Sequence, residues 1–172
     1  NAELFCDICQ EYGGAGLQWS ALPEERTALW TMRHNGYYAV LASRPGARAI
    51  VTDICVPISA LAHAVEETHA DIARSAISGP ILGHMGDGNF HAILLIDPDN
   101  ASEYRAAMQI SDRMAERALA LGGTCTGEHG IGMGKLKFME QEHGLAWEVM
   151  RGLKRQMDPL NILNPGKLLR QN

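Results

Sequence analysis

Apolar residues recur at two periods along this chain, and the places where the period changes mark its elements. "AELFCDICQEYGG" carries helical spacing over residues 2–12 and stops at Gly13-Gly14. Pro23 opens a second helical stretch, "PEERTALWTMRH", at its first position. "GYYAVLAS" (36–43) and "RAIVTDICV" (48–56) are β-rich and predict two strands separated by the turn Arg44-Pro45-Gly46-Ala47. Pro57 starts a helix with Ile58, Leu61, Val65 and Ile72 at helical spacing, ended by Gly79-Pro80. Two short strands follow over 80–84 and 90–96. Asn100-Ala101-Ser102-Glu103 has the form of a capped helix start, and that helix runs to Leu121 with Tyr104, Met108, Met114 and Leu119 as core contacts. Gly122-Gly123 stop it. A glycine-rich stretch, "GGTCTGEHGIGMGK", precedes two more helices near 135–142 and 145–157.

Paired strands alternating with helices predict an α+β fold: an antiparallel sheet covered by helices on one side, ferredoxin-like in a ββαββα arrangement, with additional C-terminal helices. At 172 residues the chain is expected to be a single domain spanning 1–172. Its 46% hydrophobic content suffices for a core, and its net charge of −5 argues against a nucleic-acid partner, which needs a basic surface. No apolar run reaches membrane-spanning length, and the opening Asn-Ala-Glu has no basic leader. The absent initiator Met is expected of a cleaved tag or an excised segment. Cys6 and Cys9 form a C-x-x-C without the second pair a zinc ribbon needs, so they read as core thiols in a reducing compartment. A cytoplasmic location follows as the default.

Candidate chemistry begins at "GHMGDGNFH". His84 and His91 stand seven positions apart, a spacing that sends them to opposite faces of one straight strand. Gly86-Asp87-Gly88-Asn89 are turn formers, and a four-residue turn there folds the two strands into a hairpin. His84 then faces His91, with Cβ atoms about 4.5–5.5 Å apart on one face. Two imidazoles so placed can share a metal ion. A third ligand is expected elsewhere, and Glu128-His129 in the glycine-rich stretch is the best candidate. Two histidines and one carboxylate suit zinc, manganese or ferrous iron. The spacing alone equally allows two structural histidines and a solvated loop acid. The glycine-rich stretch is no phosphate loop: His129 stands where a Walker motif needs Gly, and Leu136 where it needs Ser or Thr. Its glycines let the backbone bend tightly around a bound group.

Three motifs occur in order: "ILGHMGDGNFHAILLIDP", "GGTCTGEHGIGMGK" and "MDPLNILNPGKLL". Together they resemble the C-terminal half of FAD-linked oxidases of the vanillyl-alcohol-oxidase type. Within these, "VTDICVPISALAHAVEET" and "GNFHAILLIDP" are most similar to the D-lactate dehydrogenases of the cytochrome type; glycolate oxidase subunits and D-2-hydroxyglutarate dehydrogenases share the motifs. The resemblance implies FAD, held mainly by an N-terminal domain outside this chain, so that this chain alone is expected to be inactive. It implies a divalent metal, zinc or manganese, on His84, His91 and Glu128, with His129 as the base. It likens Trp30-Thr31-Met32-Arg33 to the motif whose Arg grips the substrate carboxylate, a task that suits a planar fork donor. Asn164 of N-P-G-K matches a residue that approaches the flavin. A second basic contact of the hydroxyglutarate branch falls at Val51 here, which implies a substrate with one carboxylate; Arg48 is a weaker substitute.

The implied reaction oxidises a D-2-hydroxy acid to a 2-oxo acid, with hydride passing to flavin and electrons to cytochrome c or a quinone. Such an enzyme is expected in the cytoplasm, at the inner face of a membrane, or in the mitochondrion of a eukaryote, with a homodimer as the assembly to test. Two other classes are open to such a domain: a small-ligand-binding regulatory module and a metal-dependent hydrolase. The N-P-G-K tail argues against the hydrolase, which has no flavin to meet.

Overall fold

A computed structural model describes residues 2–167, and the chain divides after Ser43 into two compact units. The first holds three helices, α1 (Ala2–Glu11), α2 (Pro23–His34) and α3 (Gly36–Ala42). Pro23 sits in the first turn of α2, where its missing N–H is no loss. Helix α3 replaces the strand expected over 36–43. The Ala39 N–H donates to the Asn35 carbonyl at 3.0 Å, so the chain resumes helical turns directly after α2. A short apolar run has no period that separates strand from helix, and Val40 is its only β-branched residue. None of the three helices buries a residue. Cys6 and Cys9, expected in a core, are therefore free thiols, half-buried on α1.

The second unit contains β1 (Arg48–Val51), β2 (Ile54–Cys55), α4 (Ile58–Ala73), β3 (Ile81–His84), β4 (Asn89–Ile96), α5 (Ala101–Ala120), α6 (Met139–His143) and α7 (Leu145–Met157). Strand β4 is central. Along one edge its partners run in constant register from Arg48↔Ile96 to Cys55↔Asn89, so β1 and β2 are one ribbon interrupted at Thr52-Asp53. Along the other edge β3 pairs from Ile81↔Ala92 to His84↔Asn89. All pairs are antiparallel. Strand, helix, strand, strand, helix is the ferredoxin-like order. Its fourth strand shrinks to one antiparallel bridge between Thr124 and Cys55.

Alternation along β4 decides what each face does. Phe90, Ala92, Leu94 and Ile96 pack against Leu61, Ala64 and Ile72 of α4 and against Ala107, Ile110, Met114 and Ala118 of α5. The helices thus cover one face, and His91 belongs to the opposite one. Helix α5 begins as its sequence predicts: Asn100 Oδ1 accepts from the N–H groups of Ser102 and Glu103 at 3.0 and 3.3 Å. Met114 is fully buried, whereas Tyr104, also expected in the core, is exposed. A second cluster of Ala115, Cys125, Phe138, Met139 and Trp147 fixes the C-terminal helices and the glycine-rich stretch against α5.

Leu94 is fully buried between the sheet and its helices. Replacing it with Ala is expected to lower unfolding free energy by about 3 kcal/mol, through lost transfer energy and the cavity left behind. Urea denaturation of the two proteins measures this.

Candidate functional site

The site starts from the break between β1 and β2. Thr52 keeps its N–H bond to the Ala92 carbonyl at 3.0 Å. The returning Ala92 N–H, however, donates to the Thr52 hydroxyl at 2.8 Å rather than to its carbonyl. The freed Thr52 carbonyl lies 3.0 Å from His91 Nδ1. A carbonyl only accepts, so Nδ1 carries a proton, and Nε2 is the nitrogen left to face a metal ion. A side-chain substitution in the backbone ladder thereby sets a histidine tautomer.

Asp53 follows, opposite His91 in the ribbon register, with its side chain 1% exposed. Its Oδ2 accepts from the backbone N–H groups of Gly127, Glu128 and His129 at 2.9, 3.0 and 2.9 Å, and from the Thr126 hydroxyl at 3.0 Å. Its Oδ1 accepts from the Asn89 amide at 2.9 Å. That amide also donates to the Ile54 carbonyl at 2.8 Å, so both neighbours are acceptors and Asn89 cannot be turned over. Lys135 Nζ donates to the Asp53 backbone carbonyl at 2.6 Å and stands 3.5 Å from Oδ2. Burial alone would raise the carboxyl pKa. The His129 N–H, the Asn89 amide, the Glu128 N–H and the Lys135 ammonium outweigh it and hold the group well below the ordinary carboxylate range.

This wrapping leaves no space at Gly127: a Cβ there would lie 1.9 Å from Asn89 Nδ2 and 2.8 Å from Asp53 Oδ1. The loop arrives with Glu128 on the sheet face that carries His91. Glu128 Oε1 lies 3.1 Å from His91 Nε2 and 3.4 Å from His84 Nε2. One donor atom from each of His84, His91 and Glu128 falls within 4.8 Å of the others, a spacing that a single divalent ion can span. The His129 ring stacks on His91 with centroids 4.8 Å apart and planes 7° from parallel, and its Nε2 is 3.9 Å from Glu128 Oε1.

The two hairpin histidines meet, but not in the predicted register. His84 pairs with Asn89, and His91 with Leu82. The turn is a short 3-10 segment, Met85–Asp87, closed by Gly88 at φ 76°, rather than Gly86–Asn89. Asn89 leaves the turn because its amide is held by Asp53. The offset from the predicted pairing is two residues, and an even offset keeps every side chain on its face. His84 and His91 are therefore diagonal neighbours, edge to face, with ring centroids 6.1 Å apart.

Arg33 stands on α2 of the first unit, its guanidinium 5.8 Å from the centre of the Trp30 ring. Asn164 lies in the tail with φ 49°, the left-handed turn geometry Asn tolerates, and its carbonyl accepts from the Lys167 N–H at 3.1 Å. Asp53, Asn89 and Lys135 are the members that motif reading missed. The available signal was a lone acid inside the apolar run "AIVTDICV", where a charge is costly unless it is fully bonded.

Residues 1–168 match the family of FAD linked oxidases, C-terminal domain. A probable mitochondrial D-lactate dehydrogenase of Danio rerio is 49% identical over 164 residues, covering 95% of this chain and 33% of its own length. The mitochondrial D-lactate dehydrogenase [cytochrome] of Arabidopsis thaliana is 37% identical over 168 residues, covering 97% and 30%. A glycolate oxidase subunit of Bacillus subtilis is 35% identical over 164 residues, covering 94% and 34%. The chain thus spans about a third of the length of the curated relatives it matches.

A depressed carboxyl pKa stabilises the fold above the unfolded value near pH 4, and that stability is lost as the pH falls further. The carboxyl carbon of Asp53, followed by NMR in the folded chain, is expected to show no protonation step above about pH 3. A midpoint near pH 4 would mean that the donors do not hold it.

Proposed function

The chain belongs to the FAD-linked oxidases, as their C-terminal domain, and from that premise we propose that it is the substrate- and metal-binding domain of an FAD-dependent dehydrogenase of D-lactate or a closely related D-2-hydroxy acid. The observation that carries this reading is the convergence of His84, His91 and Glu128 beside His129. These residues fit a metal. His91 turns Nε2 inward while its Nδ1 donates to the Thr52 carbonyl, the outer contact that orients a ligating imidazole. Two imidazoles and one carboxylate suit zinc or manganese and leave positions open for a substrate. When bound, the metal supplies Lewis-acid polarisation of a substrate hydroxyl, and the flavin supplies the hydride acceptor.

The chain's own residues do the rest. His84, His91 and Glu128 would hold the ion. His129 takes the hydroxyl proton on its ring nitrogen Nε2, and its stack on His91 restricts the ring to one orientation. Arg33 would grip the carboxylate, the role its motif carries, and Asn164 would lie toward the flavin. Val51 offers no charge, which supports a substrate with a single carboxylate over a dicarboxylate. The product is the 2-oxo acid, and the electrons leave to cytochrome c or a quinone. The names of the relatives support a mitochondrial location in a eukaryote. Among the described residues no helix is long and apolar enough to cross a membrane. Glycolate is the second candidate substrate, favoured by the similarity to glycolate oxidase subunits.

Flavin bleaching in the flavoenzyme that carries this chain, mixed anaerobically with D-lactate, tests the reading. His129→Gln is expected to slow bleaching by about 10²-fold or more, with little change in substrate affinity. An unchanged rate would remove His129 as base. Faster bleaching by D-2-hydroxyglutarate than by D-lactate or glycolate would overturn the substrate.

A further inference from the structure

The metal reading uses three side chains and leaves a buried charge beside them without a task. Asp53 is not a fourth ligand. Its oxygens are occupied by Thr126, Gly127, Glu128, His129 and Asn89. It also lies on the far side of the His91 ring, with Oδ1 3.6 Å from Nδ1, whereas Glu128 meets Nε2. Among its buried neighbours Ile54, Phe90 and Ile93 are apolar and Thr52 carries only a neutral hydroxyl, so Asp53 is the one charge among them.

We propose that Asp53 is the positioning residue of the site, fixing before any ion arrives both the imidazole of His91 and the backbone that presents Glu128 and His129. The inference rests on the metal reading above. Two independent contacts carry it. The first is the run of three consecutive N–H groups, from Gly127 to His129, closing on one oxygen. Such a nest fixes the direction in which the Glu128 and His129 side chains leave the backbone. The second is the negative charge beside His91 Nδ1, which favours the tautomer that Thr52 already selects. Asn89 holds the Oδ1 end of the carboxylate, while Lys135 holds the Asp53 backbone carbonyl and stands 3.5 Å from Oδ2. Ligands held this way lose less freedom when they close on an ion.

Cobalt(II) titration of the 172-residue chain, read by its visible absorption, separates this inference from the reading it rests on. Wild type is expected to bind one equivalent and His84→Ala to lose it. Asp53→Asn, which sets an amide against the same donors, is expected to weaken binding about 10–100-fold and to change the band shape. Circular dichroism and urea denaturation establish that the variant is folded. If it is not, Thr126→Val removes one bond to Oδ2 and is expected to weaken cobalt binding about tenfold. No binding by wild type would overturn the metal reading together with this inference. Binding by wild type with unchanged affinity and spectrum in folded Asp53→Asn, or in Thr126→Val where that variant is needed, would overturn the inference alone.

Discussion

A carboxylate taken out of water must find donors or give up its charge, and the site of this chain is arranged around where Asp53 finds them. Five donors from two separated segments, Asn89 and the run Thr126–His129, reach its two oxygens. These donors outweigh the burial that would otherwise favour the neutral form, which is why the group stays ionised. Satisfying one charge thus joins the interrupted ribbon, the start of β4 and the glycine-rich loop.

The same arrangement explains two features that otherwise look like defects. The gap between β1 and β2 costs the ladder one backbone pairing, and the Thr52 hydroxyl restores it while its carbonyl goes to His91. The buried oxygen Asn89 Oδ1 has no partner among the described residues, because the amide nitrogen is committed to two acceptors. Both are local losses accepted where the backbone must carry Glu128 to within 3.1 Å of His91.

Much of this was legible in the sequence. Helical periods, Pro23, the Asn100 cap and the double glycine after α5 mark elements the chain adopts, and the α+β class follows from them. The residues His84, His91 and Glu128 could be named from spacing and motif. What spacing could not supply was the register, since turn length depends on whether Asn89 belongs to the turn or to β4. That choice is made by Asp53, far away in sequence. The segment 36–43 misled because an apolar run with aromatic residues reads as a strand when no partner strand is known. Asp53 escaped for a related reason: its function lies in backbone N–H groups, which no side-chain motif records.

The proposed function depends on two imidazoles and a carboxylate sharing one ion. X-ray absorption at the zinc edge, on the chain loaded with one equivalent of zinc, tests this most directly. The predicted first shell has two imidazole nitrogens and a carboxylate oxygen at about 2.0–2.2 Å, with no sulfur. Fewer than two imidazoles, or sulfur scattering near about 2.3 Å from a cysteine, would contradict it.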